Sequence, residues 1–168
     1  DYFPGPGVWQ TNTEPASSGH SQPPVLASVI LKLVEIGSGY DLRKAREVFP
    51  RLMAYHRWYA SARDPRGTGV IGIIHPWESG RDNCPDWDIG MQNIVIPGNI
   101  ERHTRHDIYH VNSNQRPTQE QYDRFITIVN FGRECNWDSQ TIYSKGPFLM
   151  ADPGVQFIFL RASRDLLA

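Results

Sequence analysis

Long apolar runs, cysteine and net charge are all scarce in this 168-residue chain, and each scarcity removes a class of function. No 18-residue apolar span is present and nothing resembles a secretory h-region, so neither a transmembrane helix nor an export signal is expected. Cys84 and Cys135 are too few for a disulfide framework. A formal charge of −1, from 17 basic against 18 acidic residues, offers no field that would draw in nucleic acid or an anionic membrane surface. A nucleophile elbow, a phosphate loop and a dinucleotide fingerprint are also missing. What remains is a soluble cytoplasmic protein with a neutral or small polar ligand.

Residues 1–24 are broken up by Pro4, Pro6, Pro15, Pro23, Pro24, Gly5, Gly7 and Gly19, which excludes regular helix or strand. Tyr2, Phe3 and Trp9 make the segment too aromatic for a solvated linker, and it reads as a packed N-terminal binding loop. Pro24 suits a helix N1 position, with Val25, Ile30, Leu33 and Val34 on one face up to Gly37-Ser38-Gly39. Asp41 caps a second helix, in which Leu42, Ala45, Val48, Phe49, Leu52, Tyr55 and Tyr59 form a wide apolar stripe bent at Pro50 and closed by Asp64-Pro65-Arg66-Gly67. Val70–Ile74 is a short β-branched run, and Pro85 opens a third helix to about Ile94. Residues 96–117 form a polar excursion with three His and three Arg, too long for an ordinary connection. Thr118-Gln119-Glu120-Gln121 is a capping-box pattern for a helix to about Cys135 that buries Phe125, Ile128, Val129 and Phe131. Asp152-Pro153 starts a last helix through Leu167. The periodic segments are helical and the turns long and aromatic, an all-α architecture with its site on loops.

The chemistry concentrates in His75-Pro76-Trp77-Glu78-Ser79-Gly80-Arg81-Asp82-Asn83-Cys84-Pro85-Asp86-Trp87-Asp88. Indole faces stack on pyranose rings, carboxylates bind sugar hydroxyls, and a carboxyl against an aromatic wall holds its proton toward neutral pH. Asp82 reads as that proton donor or, equally, as a plain N-cap of the helix begun at Asn83-Cys84-Pro85, and the two roles can coexist. Glu78 is a sugar-hydroxyl ligand or a structural hydrogen bonder, because Gly80 breaks the helix that would pair it with Asp82. The 82–93 spacing fails as a calcium loop, lacking a Gly at its sixth position and an acid at its twelfth. His103, His106 and His110 lack partners for a tetrahedral zinc set and read as solvated or ligand-contacting residues. Arg116 could fork onto a carboxylate with Tyr122 adding a donor, or the two could be a solvated Arg and a core-rim aromatic. Gln22 is either a ligand contact or an ordinary turn amide.

This motif, with Gln22-Pro23-Pro24 and the Arg116-Pro117-Thr118 to Tyr122-Asp123-Arg124-Phe125 stretch, resembles glycoside hydrolase family 63, in particular its bacterial glucosylglycerate and mannosylglycerate hydrolases. The resemblance spans nearly the whole chain. It implies that residues 1–168 are one segment of an (α/α)6 toroid, with 1–24 a binding loop and 25–168 helical hairpins. It also implies an inverting mechanism on a small sugar substrate, glucosylglycerate or a similar α-glucoside, without a metal or other cofactor. Asp82 matches the general acid, Trp77 and Gly80 match the sugar subsite beside it, and Gln22, Arg116 and Tyr122 match contacts to the glycerate. Cys84 stands where Ser is common.

The family's base lies far toward the C-terminus, in a portion of the toroid this chain lacks, so the isolated chain is expected to be inactive. Asp1 at the start and an apolar-periodic run ending at Ala168 suggest a piece of a longer protein. Its uncovered apolar faces would drive self-association or pairing with a complementary C-terminal portion. The rival readings are a non-catalytic carbohydrate-binding or assembly fragment and a trehalase-like or oligosaccharide α-glucosidase.

Overall fold

The computed structural model describes residues 9–11, 13, 14, 17–37, 39, 41–101, 112 and 115–168. His103, His106 and His110, and with them most of the polar excursion, lie outside the described residues, as do Tyr2 and Phe3. The described regular structure is helical apart from two two-residue strands, β1 (Gly72–Ile73) and β2 (Met150–Ala151). The β-branched run thus condenses to β1 alone. No described helix is long and apolar enough to cross a membrane.

The chain divides into two compact units, one formed by residues 1–21 and 73–150, the other by residues 22–72 and 151–168. The second unit contains α1 (Leu26–Glu35), α2 (Leu42–Arg63) and α6 (Pro153–Asp165), with α1 packed on both α2 and α6. Helix α1 starts two residues after Pro24 rather than on it. The Val25 N–H closes a tight turn onto the Pro23 carbonyl at 2.8 Å, which postpones the first helical residue to Leu26. Gly37, at φ 63°, ends it in the left-handed conformation that only glycine enters without strain.

Asp41 accepts from the Lys44 N–H at 2.9 Å, so the expected cap on α2 is real. The helix continues through Pro50, but its apolar stripe is covered unevenly. Leu52 and Tyr59 are buried, whereas Leu42 and Phe49 are 61% and 44% exposed. Helix α6 is capped by Asp152, which accepts from the Gly154 and Val155 N–H groups with Pro153 at N1. Its Gln156 amide exchanges two hydrogen bonds with the Ile71 backbone, as a neighbouring strand would. Phe157 on the same helix is 69% exposed.

The first unit holds α3 (Asp88–Met91), entered through a 3-10 turn at Pro85–Trp87, then α4 (Gln119–Glu134) and α5 (Ser139–Lys145). The capping box of α4 is complete: Thr118 Oγ1 accepts from the Gln121 N–H and Gln121 Oε1 from the Thr118 N–H. Phe125, Ile128 and Val129 are buried as the periodicity implied, while Phe131 is only half-buried. Helix α5 is not expected from periodicity, since seven residues are two turns. Its signal is local, the Asp138 carboxylate accepting from the Thr141 N–H at 2.8 Å.

In the described part of the N-terminal segment Trp9, His20 and Ser21 are buried, while Gln10, Thr13, Glu14, Ser17 and Ser18 are exposed. The segment's anchor is Trp137, whose indole N–H donates to the Trp9 carbonyl at 2.7 Å.

Candidate active site

His75 begins the site. Its side chain caps a 3-10 turn at Pro76–Ser79, with Nδ1 accepting from the Trp77 N–H at 3.0 Å and Nε2 lying 3.2 Å from the Phe125 carbonyl. An atom accepting from an amide carries no proton, so the proton is on Nε2 and the ring is neutral. Burial pushes the imidazole well below its ordinary range, helped by the adjacent His20, while the Phe125 carbonyl and Glu78 pull the other way. Because the unfolded chain then binds the extra proton, stability rises with pH through the ordinary histidine range and is lost as pH falls below it. A His75→Gln chain should therefore lose less of its melting temperature between pH 7.5 and pH 5.5 than the native chain, measured by thermal unfolding at several pH values. Equal losses would remove His75 as the cause.

Glu78 is completely buried three residues on, with Oε1 accepting from the Ser21 N–H at 2.8 Å and hydroxyl at 3.1 Å, and Oε2 from the Ile74 N–H at 3.0 Å. Of its two readings, this geometry is that of the structural hydrogen bonder. Gly80 sits at φ 71°, where a side chain would be strained, and ends the turn. The next turn, closed by the Cys84 N–H on the Arg81 carbonyl at 3.0 Å, carries Asp82 and Asn83 at its corner. The N-cap of the following 3-10 turn is Cys84 and uses no side-chain bond, so Asp82 is not a cap.

Asp82 instead lines a cavity of about 270 Å³, walled by Trp87 and Phe125 and shared with Asp88, Arg116 and Gln121. Partial burial raises its carboxyl above the usual aspartate range, and the Arg116 guanidinium opposes the rise. The acid and the cation that the sequence singled out therefore meet across 34 residues. Trp77 and Tyr122 stand one shell away. The Trp77 indole packs on His75 at 4.3 Å and Phe125 at 5.6 Å, and the buried Tyr122 ring lies 6.2 Å from Trp77 and 6.1 Å from Phe125. Neither is among the residues lining the cavity, nor is Gly80. Gln22 is the first residue of the other unit, where its carbonyl accepts from the Tyr55 hydroxyl at 2.9 Å.

Sequence reasoning passed over Asn83 and Gln115, which also line the cavity, and used Gln121 only as a cap residue. The capping box could have placed Gln121 beside Arg116. For Asn83 no local signal exists, since its partner is 32 residues away. No group of three metal-ligating side chains occurs among the described residues.

A partly buried carboxyl beside a cation and two aromatic walls can hold a proton and deliver it to an oxygen in the cavity. Residues 3–168 match the model of the Mannosylglycerate hydrolase MGH1-like glycoside hydrolase domain. The chain is 44% identical to a mannosylglycerate hydrolase of Thermus thermophilus over all of its own length and 41% of that protein's. It is 34% identical to the glucosylglycerate hydrolase of Mycolicibacterium hassiacum, covering 98% of this chain and 40% of the relative. Superposed on the crystal structure of a family 63 mannosylglycerate hydrolase from Thermus thermophilus in complex with Tris and D-glycerate, it gives a TM-score of 0.90 at 43% identity, over 98% of this chain and 40% of that one. The chain thus spans about two fifths of the length of these relatives.

Proposed function

The chain belongs to the Mannosylglycerate hydrolase MGH1-like glycoside hydrolase domain family, and on that footing we propose that it is the acid-bearing segment of an inverting α-glycosidase acting on an α-hexosyl glycerate. Glucosylglycerate and mannosylglycerate are both candidates, since the names of the relatives include both sugars. The observation that carries the reading is Asp82, lifted above the usual aspartate range in the cavity it shares with Arg116.

In this reading Asp82 protonates the glycosidic oxygen as the bond to the anomeric carbon breaks. A base on the opposite face of the sugar deprotonates the attacking water, and that base lies in a part of the toroid outside these 168 residues. Arg116, with Tyr122, holds the glycerate carboxylate, and an Arg is suited to this because its planar fork matches two oxygens at once. Trp77 and Gly80 border the sugar. The exposed faces of α2 and α6 suit burial by a complementary C-terminal portion of the domain, or by a second copy where that portion is missing.

A substrate panel tests the assignment. A polypeptide carrying this segment and the rest of the domain should release hexose from mannosylglycerate or glucosylglycerate, initially as the inverted anomer by NMR. Arg116→Ala should raise KM for these substrates by roughly ten- to a hundredfold, the worth of a lost charge-assisted bond of about 1.5–3 kcal/mol. Glycosides with an uncharged aglycone should be barely affected. Hydrolysis of trehalose in preference to the glycerates, or no hydrolysis with sugar binding retained, would favour one of the rival readings.

A further inference from the structure

Asn83 is the residue after the proposed acid, and its side chain does something no local pattern announces: its amide N–H donates to the Gln115 carbonyl at 2.9 Å. Gln115 immediately precedes Arg116. On the other side of Arg116, Pro117 is buried and Thr118 is fixed by both arms of the capping box, at 2.8 and 3.2 Å. Arg116 is thus bracketed by two anchors, one belonging to the acid turn and the other to the N-terminus of α4. Asn83, Gln115, Arg116, Pro117 and Gln121 all border the cavity that holds Asp82.

We infer that Asn83 is a positioning residue: its hydrogen bond to the Gln115 carbonyl holds Arg116 against Asp82, so that acid and cation keep one geometry. The inference rests on the general-acid reading for its functional meaning and deepens it. A peptide carbonyl held by a side chain of the acid turn fixes the backbone from which the guanidinium projects. Without the bond, the backbone that carries the half-buried Arg116 is no longer tied to the acid turn, and the guanidinium can change its distance from Asp82, since a partly solvated ion pair holds its geometry only weakly. The titratable and charged groups bordering the cavity are Asp82, Asp88, Cys84 and Arg116, so Arg116 is its one cation among the described residues. Asp88 is already engaged by the Gln121 amide at 3.3 Å, and Cys84 by Asp86 at 3.1 Å. Asn83 itself is exposed, so truncating it removes the bond without opening a core.

The test reads the Asp82 carboxyl directly, by carbon-13 NMR titration of the chain with labelled aspartate, in the native protein, Asn83→Ala, Arg116→Ala and the double variant. Arg116→Ala should move the Asp82 midpoint upward, because the charge opposing protonation is gone. Asn83→Ala should move it in the same direction by a comparable amount, and the double variant no further than Arg116→Ala alone. Asn83→Ser gives the same comparison should the alanine chain lose its amide dispersion. An unchanged midpoint in the Asn83 variants, additive shifts in the double variant, or no effect of Arg116→Ala would each overturn the inference. None of these measurements needs turnover, so a failure of the hydrolase reading shows up separately, in the substrate panel.

Discussion

Asp82→Asn should lower turnover of the hexosyl glycerate by about a hundred- to ten-thousandfold, the usual span for loss of a positioned general acid. Asparagine keeps the shape and a hydrogen-bonding edge but has no proton to give at any working pH. KM should stay near its native value, because the loss falls on the transition state rather than on binding. The same variant should be the more thermostable protein at pH 7. Burial raises the folded pKa of Asp82, so its contribution to stability is present at low pH and is lost as pH rises through that raised value. Removing the charge removes this loss, and the gain in melting temperature should shrink as the pH is lowered toward 4. In kcat/KM profiles, the alkaline limb should follow Asp82 and shift upward in Arg116→Ala. Turnover within tenfold of native, measured by hexose release, would sink the assignment of Asp82 as the acid.

Gly132→Ala should destabilise the first unit by about 1–3 kcal/mol, against what helix propensity implies. Gly132 lies inside α4, where alanine is normally better than glycine by about 1 kcal/mol. A Cβ there would overlap the six-membered ring of Trp137, however, and a Cβ on Gly19 would overlap the same indole. Trp137 cannot retreat, because its N–H is held by the Trp9 carbonyl and its backbone, with that of Asn136, is fixed at positive φ of 59° and 51°. Two non-glycine residues in that region cost on the order of 1–3 kcal/mol each and persist only where the surroundings enforce them. Overpacking therefore outweighs propensity, and the melting temperature should fall by roughly 2–4 °C per kcal/mol for a chain of this size. In a Trp137→Ala background the slot is empty, and the same Gly132→Ala substitution should become neutral or stabilising. A Gly132→Ala chain more stable than native would mean that the slot does not constrain the ring.

The residues that were easy to read are those whose partners lie within one helical turn. Asp41, Thr118 with Gln121, and Asp152 announce themselves as caps because each bonds an N–H two or three residues ahead. The stripe on α2 was readable as apolar, yet which part of it is covered was not: Leu42 and Phe49 belong to the same pattern as Leu52 and Tyr59 but stay exposed. Glu78 could not be assigned from spacing, since its oxygens are occupied by Ser21 across 57 residues as well as by nearby Ile74. His75 is held from two sides, at Nδ1 by the Trp77 N–H two residues on and at Nε2 by the Phe125 carbonyl 50 residues on, and only the first of these is local.

The order of amino acids alone settles the long helices α2, α4 and α6 with their caps, and the presence of a carboxylate among indoles, because periodicity, capping and turn chemistry act over a few neighbouring residues. It took the packed chain to bring Asp82 into one cavity with Trp87, Phe125 and Arg116, and to carry Asn83 to Gln115. Desolvation and Coulomb attraction depend on distance through space, and no spacing along the chain specifies that distance.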